Sequence, residues 1–255
     1  MNDLPILSIP EWDVIPGLVH GFCGRRGGVS CGPYAELNVS RRVGDDIASV
    51  EENWRRLATA IGDAVRFARM RQVHGTRVVS VSKEAPDAGE ADALISRASG
   101  LVLSVLTADC VPILLVAPQA RAVAVAHAGW RGTLAGVVVE AIEALAQEYD
   151  VQLGDIHAAL GPAIGGCCYE VDETIGNDFA ARWGQANVVR RSVSNTGKVY
   201  LELRTANVAQ LAHAGVPTAQ ITVVGPCTRC HSGEFFSHRG SGGHAGRQVS
   251  FVGWR

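Results

Sequence analysis

Three short apolar runs, lying close together in the chain, constrain its fold more than any other feature. Residues 101–106, 112–117 and 121–126 are built almost entirely from Val, Leu, Ile and Ala. Each has the length of a strand and is too short for a typical helix. An unbroken apolar pattern, without alternation, means that both faces are covered. Asp109 and Pro112 interrupt the stretch from Leu101 to Ala117. That stretch is also slightly short for a bilayer span, so it reads as two buried strands joined at a polar bend. The third run enters His127-Ala-Gly-Trp130 without a break.

Helices must cover such strands, and the sequence supplies them. Ile47, Val50, Trp54, Leu57, Ala58 and Ile61 recur at three- and four-residue spacing, which predicts a helix over 46–61. Asp45 or Asp46 caps it and Gly62 ends it. Helical spacing returns from Thr133 to Tyr149, with Thr133 as the N-cap. A strand is expected at 76–82, with others near 156–160, 198–203 and 220–224. Further helices are expected near 172–183 and 204–214, the latter stopped by Gly215 and Pro217. No linker or change of composition divides the chain, so residues 1–255 read as one α/β domain with a large mixed sheet or two packed sheets.

Composition narrows the function. With 23 Lys and Arg against 25 Asp and Glu, the formal charge is −2, which argues against a non-specific nucleic-acid binder. The N-terminal residues MNDLPILSIPEW contain neither a basic segment nor a continuous apolar one, so no targeting signal is expected. Seven cysteines, an odd number in a chain this long, read as reduced thiols in the cytoplasm. Nothing in the sequence sets an oligomeric state.

Chemistry-bearing side chains gather where apolar strands end. Gln72-Val-His74-Gly75 precedes the 76–82 strand, Thr107-Ala-Asp109-Cys110 separates two buried strands, and His127-Ala-Gly-Trp-Arg131-Gly132 joins a strand to a helix. Strand ends that face a helix N-terminus are common places for sites in α/β proteins. His74, Cys110 and His127 offer two imidazoles and a thiolate, a set that suits zinc with one open position, and Asp109 could orient a ligand from behind. The same atoms permit a metal-free reading, with Cys110 as nucleophile and His127 as its base. A buried Cys and a strand-end His also occur as plain packing. Copper oxidation fits less well. A blue-copper centre needs two His, a Cys and a weak axial ligand, and a further copper cluster calls for His-x-His pairs. The eight His stand at 20, 74, 127, 157, 213, 231, 238 and 244, none two residues from another.

Three other features stand apart. Cys227-Thr-Arg-Cys230-His231 has the spacing of a zinc knuckle or redox pair. There is no second Cys-x-x-Cys, and adjacent Cys167-Cys168 looks poorly placed for one metal ion, so these read as loop or core thiols. Arg25-Arg-Gly-Gly-Val-Ser30 is a glycine turn whose guanidiniums could hold phosphate. The Gly240–Gly246 loop, which carries His244, could cover a site or be plain surface.

Read in order, these segments resemble a known family. Arg25-x-Gly-Gly-Val-Ser30, Leu37-Asn38, Gln72-Val-His-Gly75, Ala91-Asp-Ala-Leu94, Thr107-Ala-Asp-Cys110 and His127-Ala-Gly-Trp-Arg-Gly132 are followed by Gly161-Pro162, Cys168-Tyr-Glu-Val171, Cys227-Thr228, Phe236-Ser237 and Gly246-Arg247. The chain is similar to the YfiH family, also called the laccase-domain, polyphenol oxidase or purine nucleoside phosphorylase family. The resemblance implies one α/β domain, an α-β-β-α sandwich with mixed sheets like that of deamidating necrotizing-factor toxins. It implies zinc on His74, Cys110 and His127, with copper as the older alternative. It implies phosphorolysis of adenosine, inosine and methylthioadenosine together with adenosine deamination. Polyphenol oxidation and editing of peptidoglycan precursors are the other activities attached to the family. On this reading Arg25 and Arg131 hold phosphate, Asn38 and Gln72 contact ribose or base, and Asp109 orients groups or shuttles a proton. Gly24, Cys167 and His238 depart from the family pattern.

Overall fold

In a computed structural model, residues 4–62, 65–184, 188–192 and 197–255 are described, and they form an α-β-β-α sandwich. Two six-stranded mixed sheets lie face to face. The first runs, in spatial order, Ile6–Leu7, Leu18–Cys23, Gln248–Trp254, Leu101–Thr107, Arg66–Arg71 and Asp87–Glu90. The second runs Ile221–Val223, His157–Leu160, Val111–Ala117, Ala122–Ala128, Ala93–Ser96 and Val78–Ser80. A small three-stranded sheet of Glu170–Asp172, Lys198–Leu201 and Val189–Arg191 stands apart.

Alternation along the three apolar runs explains the layers. Leu101, Leu103 and Val105 face inward between the sheets, where they meet Leu114, Val116, Val123 and Val125 of the second sheet. Val102 faces outward with Val249 and Phe251, and is covered by Val50, Trp54, Leu57 and Ile61 of the helix Ile47–Ile61. On the far side, Ile113, Leu115, Ala124 and Ala126 pack under the helices Val137–Tyr149 and Leu203–His213. A strand buried on both faces has no polar side, which is why these runs show no alternation in the sequence.

The first two runs belong to different sheets, so the polar bend Ala108-Asp109-Cys110 is where the chain crosses from one sheet to the other. The second and third runs pair antiparallel, with Pro112 opposite His127. His127 therefore shares the inter-sheet face with Val123 and Val125, one step beyond them along the strand.

The helix at 47–61 starts where its cap predicts, with the Asp46 carboxylate accepting from the Ser49 N–H at 2.8 Å. Thr133 is not a cap. The expected 133–149 helix is two helices, Trp130–Ala135 and Val137–Tyr149, separated by Gly136 at φ +95°. Only glycine takes that left-handed conformation freely, so the first helix closes there and the second restarts. Gly129 precedes the first helix, and Thr133 lies inside it, its hydroxyl accepting from Asn207 at 3.0 Å. Strands Leu18–Cys23, Arg66–Arg71 and Gln248–Trp254 were not expected from the sequence.

Candidate metal centre and its cavity

Three segments converge at one end of the sandwich. The loop after Arg66–Arg71 carries His74, the inter-sheet crossing carries Cys110, and the end of Ala122–Ala128 carries His127. The ligand-capable atoms of these three side chains all lie within 4.8 Å of one another. The two imidazoles meet edge to face, with ring centres 4.7 Å apart.

The carboxylate that organises them is Asp92, at the start of strand Ala93–Ser96 and fully buried. Its oxygens accept from the successive N–H groups of Val73 (3.2 Å), His74 (2.9 Å) and Gly75 (2.7 Å). Oδ1 also accepts from His127 Nδ1 at 2.8 Å. A carboxylate only accepts, so Nδ1 carries the proton and Nε2 is left for the site. One side chain thus ties the loop of one ligand to the ring of another. The same loop holds His74 at φ +63°, a backbone conformation uncommon outside glycine.

Electrostatics follow from this packing. Burial pushes the Cys110 thiol up, but the charge and hydrogen bonds of His127 and His74 outweigh it and bring the thiol down to about 6. Burial opposes the His127 imidazolium, yet Cys110 and Asp92 raise it to about 9. The Asp92 carboxyl lies below its ordinary value, because hydrogen bonds from His127, Gly75 and His74 outweigh its burial. Both shifts favour the charged forms, a thiolate beside an imidazolium. A thiolate flanked by two imidazoles, with a carboxylate fixing one ring, is a donor set that fits a borderline-soft dication.

Gly129 is part of the same design. A Cβ there would stand 3.0 Å from both Cys110 Sγ and His74 Cδ2. Its backbone, at φ −73°, suits any residue, so only space is at stake. Gly129→Ala is expected to fold normally and to lose metal occupancy, which metal analysis beside an unchanged circular dichroism spectrum would reveal. Full occupancy in the variant would contradict the packing argument.

The triad opens on a cavity of about 670 Å³, a size suited to a small organic ligand. Its wall includes Gln72, His238 and five arginines, Arg41, Arg42, Arg69, Arg71 and Arg247. Arg41 and Arg71 are paired with Glu51 and Glu90. Arg42 has no ion pair among the described residues. Arg69 stacks over Trp54, and its Nε is buried without a hydrogen-bond partner. Arg247 donates through Nη1 to the carbonyls of Ala245 and Gly246. Burial lowers the guanidinium pKa of both Arg69 and Arg247.

Several side chains chosen from the sequence do other work. Asp109, at φ +89°, accepts from Thr228 Oγ1 at 2.7 Å and from the Arg239 N–H at 2.6 Å. It bonds neither imidazole, and the orienting position belongs to Asp92. Asn38 is fully buried and engaged at both ends of its amide, by Ser40 and Asp45 on one side and Ser40 and Arg247 on the other. Gln72 lines the cavity but clamps residue 106, donating to the Leu106 carbonyl and accepting from its N–H. Arg25 is bound to the carbonyls of Ala35 and Ser232, stacks on Phe236, and does not line the cavity. Arg131 is exposed, stacked on Trp130 and likewise off the cavity wall. Asp92 and Arg247 both lie in motifs that carried the family resemblance, and that was their only sequence signal.

Fold and site together define an α-β-β-α protein with a His-Cys-His centre at the sheet junction, facing a cationic cavity. A family model described as multi-copper polyphenol oxidoreductase laccase matches residues 19–255. The chain belongs to this family, the YfiH or laccase-domain family. It is 38% identical over 249 residues to the purine nucleoside phosphorylase YlmD of Geobacillus stearothermophilus, covering 94% of this chain and 91% of that protein. It is 38% identical over 246 residues to the adenosine deaminase RL5 of an unknown prokaryotic organism, covering 92% and 93%. The crystal structure of the Bacillus licheniformis hypothetical protein YfiH superposes with a TM-score of 0.91 at 30% identity, covering 98% of this chain and 96% of that one.

Proposed function

We propose that the protein is a zinc-dependent enzyme of purine nucleosides, catalysing phosphorolysis of adenosine, inosine and methylthioadenosine and deamination of adenosine. The observation that carries this reading is the position of the His74–Cys110–His127 triad at the wall of an arginine-lined cavity. The relatives named phosphorylase and deaminase support the substrate class. Zinc suits the donor set better than copper. Among the described residues the metal-capable clusters are this triad and a group of four cysteines, with no bank of imidazoles for a multicopper centre. Seven free thiols favour a cytoplasmic setting. No helix among the described residues is long and apolar enough to cross a membrane.

His74, Cys110 and His127 would hold the zinc, which would supply a Lewis acid to the substrate. The protein's own residues do the rest. Arg42, Arg69 and Arg247 hold the phosphate through the guanidiniums that line the cavity. Asp92 keeps the His127 ring turned toward the site. Asp109 ties Thr228 and the Arg239 backbone to the inter-sheet bend beside Cys110, which makes it a positioning residue. The apolar wall at Val39, Met70 and Leu106 receives the base.

The polarised Cys110–His127 pair also fits a cysteine hydrolase, including one that edits peptidoglycan precursors. One set of measurements separates the readings. The zinc enzyme carries about one metal ion on the triad, loses turnover on chelation and needs phosphate to consume inosine. Arg42→Ala raises KM for phosphate with a smaller change in kcat. Full activity without metal would establish the cysteine reading instead. Inosine loss that is independent of phosphate would exclude phosphorolysis, and copper with phenol oxidation would exclude zinc.

A further inference from the structure

We infer that Cys167, Cys168, Cys227 and Cys230 form a second metal centre, a closed tetrathiolate site for zinc that staples two loops together behind the cavity. Their four sulfur atoms lie within 4.8 Å of one another. Cys230 Sγ is 3.4 Å from Cys168 Sγ and 3.7 Å from Cys167 Sγ. Zinc–thiolate bonds of about 2.3 Å in a tetrahedron place sulfurs roughly 3.8 Å apart. A disulfide needs about 2.05 Å. The two separations of 3.4 and 3.7 Å are close to the tetrahedral figure and far too long for a disulfide.

The topology builds the site. Strands His157–Leu160 and Ile221–Val223 are parallel neighbours, with Leu160 beside Val223. Both chains leave the sheet in the same direction, and a bridge between Ala163 and Cys227 keeps them together. The Thr228 N–H donates to the Ala163 carbonyl at 3.1 Å, and Arg229 Nη1 donates to the Cys168 carbonyl at 3.3 Å. The N–H groups of both Cys168 and Tyr169 donate to the Gly165 carbonyl. That tight turn brings two adjacent cysteines close to Cys227 and Cys230, although adjacency looks a poor geometry for one metal ion.

One of the sulfurs, that of Cys227, already receives backbone donors. Cys227 Sγ accepts from the Gly165 N–H at 3.3 Å and from the N–H groups of Arg229 and Cys230. N–H donors of this kind offset the charge that four thiolates leave on a dication. Cys227 is buried, while Cys167 and Cys230 reach solvent and give the ion a path in. With four protein ligands there is no open position, so the centre is structural. The stapled loop carries Thr228, whose hydroxyl binds Asp109 beside Cys110. The second ion thereby steadies one wall of the first site.

The test uses the full chain in a background that empties the triad, His74→Ala with Cys110→Ala. Zinc-loaded and then dialysed, this protein is expected to retain one zinc per chain. Its cobalt form is expected to show the intense visible bands of tetrahedral cobalt–thiolate. Adding Cys167→Ser and Cys230→Ser abolishes both signals, whereas Cys31→Ser leaves them unchanged. Chelation lowers the thermal midpoint by roughly 5–15 °C. A folded triad-less protein without zinc would overturn the proposal. So would a mass lighter by the hydrogens of a disulfide in freshly isolated, unreduced protein. Because the triad is absent from this background, the outcome does not depend on whether the triad itself binds zinc.

Discussion

In the Asp92→Asn protein, zinc affinity of the triad is expected to fall by about 10–100-fold, with turnover falling in parallel. Asp92 is fully buried and accepts from four donors, the N–H groups of residues 73–75 and His127 Nδ1. Asparagine keeps one acceptor oxygen and puts an NH₂ where the other stood, facing N–H groups that also donate. The loop bearing His74 and the ring of His127 then cannot both be satisfied. The charge that favours the protonated His127 Nδ1 is lost as well. Leaving buried donors unpaired costs about 2–4 kcal/mol, a drop in thermal midpoint on the order of 10 °C.

The substitution also changes the response to acid. The carboxyl of Asp92 lies below its ordinary value in the folded chain. Its contribution to stability is therefore complete above the unfolded-state pKa and fades as pH falls through the folded one. The variant should lose less stability than the parent over that acid limb. Metal analysis with melts at neutral and acid pH checks all three effects. Unchanged metal content and melting at neutral pH would remove Asp92 from the centre.

Asn38→Ala is expected to destabilise the fold by about 3 kcal/mol while leaving KM for nucleoside close to that of the parent well below the melting temperature. The Asn38 amide donates to the Ser40 carbonyl at 3.2 Å and to Asp45 Oδ2 at 2.8 Å. It accepts from Ser40 N at 3.1 Å and from Arg247 N at 2.9 Å. No donor or acceptor is spare for a substrate. Alanine strands several of these partners beside a buried core, and the midpoint falls on the order of 10 °C. The opposite result, an unchanged midpoint with a raised KM, would return Asn38 to the role of a substrate contact. Thermal denaturation and steady-state kinetics on one preparation decide between them.

These two residues mark the line between what can and cannot be read from the chain. Asn38 and Asp92 both sit in short polar motifs beside apolar segments, and nothing local tells a satisfied buried amide from an exposed one. The strand Gln248–Trp254 went unseen because its polar members, Gln248 and Ser250, break the apolar run, and its partners lie at 18–23 and 101–107, far back in the sequence. The split helix was missed because apolar periodicity continues across Gly136 on both sides. The arginines of the cavity were missed because the Arg41-Arg42 pair, Arg69 inside a strand and Arg247 just before another come from three segments far apart in the chain.

The sequence by itself determined the central strands, the capped helix at 47–61 and the three ligand-capable side chains. Burial on both faces and helical period are local properties, and they leave their marks on neighbouring residues. Only the tertiary structure decided that the bend at 108–110 crosses between sheets, that Asp92 and not Asp109 faces His127, and that four cysteines from two distant turns share one point. Those outcomes depend on strand order and on which loop ends meet, and pairing between segments far apart in the chain leaves no local pattern to read.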